Sequence, residues 1–393
     1  MSNDTLVPKL RFKFSSDWES KKLKDIIQIS KEKYNPNTDK TNYKCIELEH
    51  LSQETGVLLG FTDSTNQNSI KNKFHEGNIL FGKLRPYLKK FYYPNFDGVC
   101  SSEIWVFNTN EYSKYIYYLI QTKKFLDISN VSSGSKMPRS DWKFMKDFLF
   151  SIPDLKTQKE TVNLFSMIDN KIKLLENKHQ QYQNFKNYLM QQIFTQKIRF
   201  EEFDDEWEIK KLDDLSKIQR GASPRPITSK KWYDTENKNV GWVRISDVTN
   251  SVKYLKKTED YFSEEGIKKS RFIPKGSLIM SICATIGKPI ITNIDTCIHD
   301  GFVGFSELNI NKEFLYYYLN ILEPKFVSLS QTGSQANLNS DLVKITKISV
   351  PTFEEQEKIV DFLSNIDKKI ELMEKYLEKY IKFKKGLLQQ MFV

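Results

Sequence analysis

The chain has 393 residues, 39% hydrophobic and 28% charged, and 60 Lys and Arg against 50 Asp and Glu give a formal net charge of +10. That length suits two or three domains, each able to bury its own core. No apolar run approaches the ~18 residues that span a bilayer, and MSNDTLVPKLRFKF lacks the apolar stretch of a secretory leader, so a cytoplasmic protein with no membrane partner is expected. Cys45, Cys100, Cys283 and Cys297 form no CxxC pair, and the four histidines are equally dispersed. Free thiols are expected, and neither a zinc site nor any other metal site.

In chain order, GNILFGKL at 77–84 first imitates a phosphate-binding loop, but Leu84 stands where Ser or Thr must hold magnesium. Its apolar interior reads as a strand. KLRPYLKKFYY (83–93) interleaves Lys83 and Arg85 with Tyr87, a pattern suited to phosphates and base edges and equally to a solvated strand edge. The loop VSSGSKMPRSD (131–141) offers Lys136 and Arg139 beside Gly-Ser. Residues 157–194 then contain no Pro or Gly, and Ile168, Ile172, Leu175, Tyr182 and Leu189 recur at alternating steps of three and four. His179 and Lys186 interrupt that heptad seam. The spacing predicts a helix of roughly 55 Å at about 1.5 Å per residue.

Beyond the helix, QRGASPRP (219–226) and KKWYD (230–234) bring Arg220, Arg225, Lys231 and Trp232, all read as facing a nucleic acid. WVRISDV (242–248) reads as a strand with Arg244 outward, and SLIMSICATIG (277–287) as a buried strand. HDG at 299–301 is a weak signal for metal chemistry. QTGSQANLNSD (331–341) keeps the Gly-Ser and Ser-Asp frame of 131–141 but presents Gln335 and Asn337. Arginine suits guanine and amides suit adenine, so this exchange fits two readers of different sequence, or ordinary loop drift. The final segment repeats the seam with Ile366, Ile370, Met373, Leu377, Tyr380 and Leu387, interrupted by Lys384.

The chain ends as its middle does. FKNYLMQQIF (185–194) returns as FKKGLLQQMF (383–392), and 158–194 laid on 356–392 gives 16 identities in 37 positions. Upstream, SIP (151–153) meets SVP (349–351), and Trp18 meets Trp207. The chain is a duplication, divided as 1–153, a helix and linker at 154–199, 200–353, and a second helix at 354–393. The expected fold class is α+β: two tandem mixed α/β domains, separated by two long helices. Two equivalent apolar stripes that bury each other across a two-fold axis make an antiparallel, pseudo-two-fold coiled coil, which is the expectation; the alternative is two separate amphipathic helices, each packing on its own domain. The first copy carries 23 basic against 17 acidic side chains, the second 21 against 21. That balance fits a nucleic-acid partner or mere solubility. No nucleotide, acyl-transfer or methyl-transfer motif appears, so a non-catalytic chain is expected. A DNA reader and a coiled-coil scaffold for proteins both remain open on the residues alone.

IPDLKTQKETV (152–162) and VPTFEEQEKIV (350–360), each leading into a long helix that ends Q-Q-x-F, resemble the specificity subunits of type I restriction–modification systems. KLRPYL, the G-A-S-P-R turn and the ATIGK segment are similar to that family too, and add Ser223 and Lys288 to the candidate DNA contacts. The resemblance implies two target-recognition domains, each reading half of a bipartite site on double-stranded DNA. It implies two methyltransferase subunits and separate restriction and translocase subunits as partners. S-adenosylmethionine, ATP and magnesium would then belong to those partners, with no cofactor on this chain. B-DNA geometry predicts half-sites centred about one turn apart, leaving roughly 5–8 unread base pairs.

Overall fold

A short antiparallel ribbon ties the start of each copy to its end. In the computed structural model, which describes residues 7–13, 18–131, 136–236, 238–330 and 338–392, Trp18–Lys22 pairs with Leu149–Pro153. Glu208–Lys211 pairs likewise with Lys347–Val350. The first ribbon ends at a proline and the second just before one, a residue that cannot continue a ladder on its nitrogen side, and a helix follows: Leu155–Phe194 after Pro153, Phe353–Met391 after Pro351. The glutamine five residues past each proline locks this corner. Gln158 accepts from the Tyr112 N–H at 2.9 Å and donates to the Pro153 carbonyl at 2.9 Å. Gln356 accepts from the Asn311 N–H at 2.8 Å and donates to the Pro351 carbonyl at 3.0 Å.

The chain forms two compact units, Met1–Asn177 with Glu374–Val393, and Lys178–Met373. In unit 1 a four-stranded sheet runs Gln28–Ile29, Ile104–Asn108, Ile79–Gly82, Phe91–Tyr92. A five-stranded sheet beside it sets Lys44–Ile46 parallel to Gly98–Cys100. Unit 2 repeats the plan. Lys217–Arg220, Phe302–Ser306, Leu278–Ser281 and Pro289–Thr292 lie in the same order, with Tyr254–Leu255 added at the edge. In its second sheet Val240–Val243 runs parallel to Thr296–Ile298. Ile79–Gly82 and Leu278–Ser281 are buried at every residue, as strands covered on both faces must be. The phosphate-loop lookalike is the first of these.

The repeated phrase at the helix ends fills a core in each unit. In unit 1, Leu387, Leu388, Met391 and Phe392 join Val162, Phe165 and Ile168 and the domain's own aromatics. The Phe392 ring lies 4.9 Å from Tyr115 and 5.9 Å from Phe165. In unit 2, Met190, Ile193 and Phe194 meet Ile359, Val360 and Leu363, and the Phe194 ring lies 4.8 Å from Tyr318. So in each unit the early part of one long helix meets the late part of the other.

The seam lysines turn out to be ion-paired. In unit 1 Lys384 Nζ is 2.7 Å from Asp169 Oδ1, and the Tyr118 hydroxyl donates to Asp169 Oδ2 at 2.8 Å. In unit 2 Lys186 Nζ is 2.5 Å from Asp367 Oδ1, and the Tyr317 hydroxyl donates to Asp367 Oδ2 at 2.6 Å. Burial, then the aspartate's charge, push both phenols upward, so each stays a donor. Around these pairs Ile168, Leu175, Leu189, Ile366, Ile370 and Leu387 are buried, and Ile172, Tyr182, Met373, Leu377 and Tyr380 are half-buried. Among the described residues no helix is long and apolar enough to cross a membrane.

Candidate nucleic-acid interface

In unit 1 the predicted cationic residues converge. After the strand Ile79–Gly82 the chain makes a single 3₁₀ turn, Pro86–Leu88, flanked by Arg85 and Lys89 in left-handed conformation at φ 52° and 50°. KLRPYL is therefore a turn and not the continuing strand its apolar positions suggest. The segment carrying Arg139 runs alongside it. The Arg85 N–H donates to the Pro138 carbonyl at 2.8 Å, and the Ser140 N–H to the Lys83 carbonyl at 2.9 Å. Lys83, Arg85 and Tyr87 thus lie on a segment strapped to the one that carries Lys136 and Arg139, with Tyr87 55% exposed. Glu103 joins them as the acid that grips Arg139, Nε to Oε2 at 2.9 Å and Nη2 to Oε1 at 3.0 Å. The guanidinium holds the Glu103 carboxyl below its ordinary value.

Unit 2 builds its surface from two turns strapped together. Gly221 lies so close to the HDG turn that a Cβ there would sit 2.1 Å from the His299 carbonyl oxygen, so only glycine fits. The Ala222 N–H donates to the Ile298 carbonyl at 3.0 Å. Arg220 Nε donates to the Asp300 carbonyl at 2.6 Å, and the Ser223 hydroxyl to Asp300 Oδ1 at 2.9 Å. HDG is thereby the anchor of the G-A-S-P-R turn. His299 Nδ1 accepts from the Gly301 N–H at 2.9 Å, and burial pushes the imidazole below its ordinary value.

Beside this anchor lies an open cleft of about 1370 Å³, lined by Ser223, Lys230, Tyr233, Lys238, Trp242, Arg244, Asp260 and His299 among others. The strand predicted over 242–248 ends at Val243; Arg244 caps the short helix Ile245–Thr249. Its side chain enters the cleft and pairs with Asp260. Arg225 and Lys231 are exposed.

Trp232 is a correction. It is 5% exposed, packed with Trp242, Phe262 and Cys297, and its indole N–H donates to the Pro226 carbonyl at 2.8 Å. A side chain that fills a core cannot face a duplex; Lys231, 4.2 Å above its ring, covers it instead. Lys288 is not among the cleft's lining residues and donates to the Thr249 carbonyl at 3.3 Å. Gln335 and Asn337 lie outside the described residues. The sequence reading missed Glu103 and Asp260, because an acid far along the chain from its arginine leaves no local spacing to read.

On the long helices, apolar side chains remain exposed at repeat-equivalent positions: Leu155 and Phe353, Leu174 and Leu372, Phe185 and Phe383, all between 46% and 55%.

The family model for the type I restriction modification DNA specificity domain matches residues 15–183 and again 204–380. The chain belongs to the type I restriction–modification specificity family. Along 411 residues, covering 95% of this chain and 91% of the relative, it is 23% identical to the type I restriction enzyme MjaVIII specificity subunit of Methanocaldococcus jannaschii. It is 26% identical over 186 residues, 46% of this chain and 42% of the relative, to the EcoDI specificity subunit of Escherichia coli. Its fold is similar to a chain solved in work on complex assembly and conformational transition of the type I system, with a TM-score of 0.64 at 17% identity over 96% of this chain and 98% of that one. It is similar as well to a type I S subunit from M. genitalium, with a TM-score of 0.56 at 14% identity over 99% of both. As a specificity subunit it serves DNA target recognition, on two tandem α+β domains.

Proposed function

We propose that this specificity subunit reads a bipartite target on double-stranded DNA, one half-site per unit, around a fixed unread gap. In this reading the long helices pair as an antiparallel coiled coil related by a pseudo-two-fold axis. They dock two methyltransferase subunits, which bring S-adenosylmethionine chemistry to adenine; restriction and translocase subunits bring ATP and magnesium. This chain holds no cofactor and supplies address, not catalysis.

One observation carries the reading: the frame is duplicated while the surface is not. Sheet order, the glutamine-locked corner and the Tyr–Asp–Lys contact recur in both units. The candidate reading surfaces differ, a cationic turn in unit 1 and a mixed cleft in unit 2. A scaffold that bound one protein twice would keep both surfaces alike. The exposed apolar pairs on the long helices support docking of partners there.

Salt dependence of DNA binding by the purified full chain separates this from the scaffold reading. A DNA reader making several phosphate contacts loses affinity steeply, roughly 10³-fold or more between 50 and 200 mM salt. An affinity absent or flat in salt would favour the scaffold.

A further inference from the structure

Arg139 and Arg244 share an arrangement that points beyond general DNA affinity. Each has a carboxylate on the same side of its guanidinium. Glu103 takes Nε and Nη2 of Arg139, and Asp260 Oδ2 takes Nε and Nη2 of Arg244. A guanidinium is planar and carries five N–H donors. With the Nε edge gripped, its plane is fixed and the outer edge, Nη1 with the remaining Nη2 hydrogen, stays available. Both side chains keep that outlet, at 45% and 48% exposure.

Arg199 shows what a purely structural version looks like. Glu355 grips it in the same way, but Glu355 is 1% exposed, receives the Trp207 indole N–H, and Arg199 Nη2 also donates to the Asp205 carbonyl. Part of its outer edge is thus already bonded to the chain's own backbone.

Charge then decides what the gripped arginines suit. An Arg–carboxylate pair has almost no net charge, and the acid repels a phosphate, so the pair is poorly suited to the DNA backbone. A guanine edge is neutral and offers O6 and N7 side by side, which two parallel N–H groups match only when the planes align. Fixing the plane in advance spares part of the rotamer entropy that a free arginine loses on docking. We propose that Arg139 and Arg244 are specificity-determining residues, each reading one guanine through its outer edge. Lys83, Lys136 and Arg85 in unit 1, and Lys230 and Lys238 in unit 2, hold phosphates around them. The assignment rests on the reading that each unit binds one half-site.

The test is selection by the purified full chain from a library of randomised DNA duplexes, followed by sequencing of the retained fraction. The wild type selects a motif with a G·C pair in each half. Arg139→Ala and Arg139→Lys each lose roughly 10- to 100-fold discrimination at one G·C pair of one half, while the other half stays sharp and shows the chain is folded. Arg244→Ala and Arg244→Lys do the same in the other half. Glu103→Gln blurs the Arg139 position without changing the preferred base. Either of two results overturns the assignment: every position as sharp as before, or uniform weakening with a shallower salt slope, which marks a phosphate contact. A wild-type chain that selects no motif sinks the half-site reading itself, and is told apart by that control alone.

Discussion

Lys186 and Lys384 interrupt a largely apolar seam, and each is met by an aspartate on the other long helix. These pairs are half-sequestered, with side-chain exposures of 15% and 15% for Lys186–Asp367, and 16% and 34% for Lys384–Asp169. Removing one partner strands the other together with a tyrosine hydroxyl, so Asp367→Ala should cost about 2–4 kcal/mol. Replacing both, Lys186→Met with Asp367→Leu, should recover most of it. Hydrogen exchange should show the single substitution's loss in unit 2, and Asp169→Ala its counterpart in unit 1; equal protection in all variants would make the pairs ornamental. Glu54 gives a pH test. Lys385 and Lys89 bond its carboxylate at 2.7 Å each and hold it at about 2, below an ordinary 4.5. A depressed carboxylate stabilises the fold fully above its unfolded value and loses that contribution as pH falls toward the folded one. The advantage of wild type over Glu54→Gln in thermal melts should therefore be constant above about pH 4.5 and vanish near pH 2. Lys385 is exposed and Lys89 partly so, and it should therefore be about 1 kcal/mol or less.

At the scale of elements, periodicity announced the long helices and apolar runs announced the buried strands, because both patterns follow directly from burial. Turns were less legible. Arg85 and Lys89 adopt left-handed backbone without glycine, and nothing in KLRPYL signals it. Trp232 was misread because lysine and tyrosine neighbours suggested a surface, whereas its ring completes a small aromatic core. Trp232→Ala should cost about 3–5 kcal/mol, as loss of a buried aromatic does, with the loss confined to unit 2. The partnership of Asp169 with Lys384 was available in principle, since Asp169, Asp367, Lys186 and Lys384 are all repeat identities. Its contacts depend on which stretch of one long helix meets which stretch of the other within each unit, which spacing alone does not give. Gly221→Ala offers an element-scale test of the anchored turn. A Cβ 2.1 Å from a backbone oxygen forces the G-A-S-P-R turn off HDG. The variant should lose reading by unit 2 while unit 1 reads as before, in the same duplex selection.

For the whole molecule, duplication is the design: one frame built twice, each finished by a helix end, each free to vary its surface. If the units are independent readers, exchanging residues 200–353 for the matching segment of another specificity subunit should alter one half-site and leave the other intact. Alteration of both halves would show that the units do not read separately. The most direct measurement is a genome-wide map of adenine methylation in the native host, with and without this gene. The account predicts the loss of one interrupted motif, two short specified halves around a constant gap. Loss of a single continuous motif, with no unread gap, would contradict it.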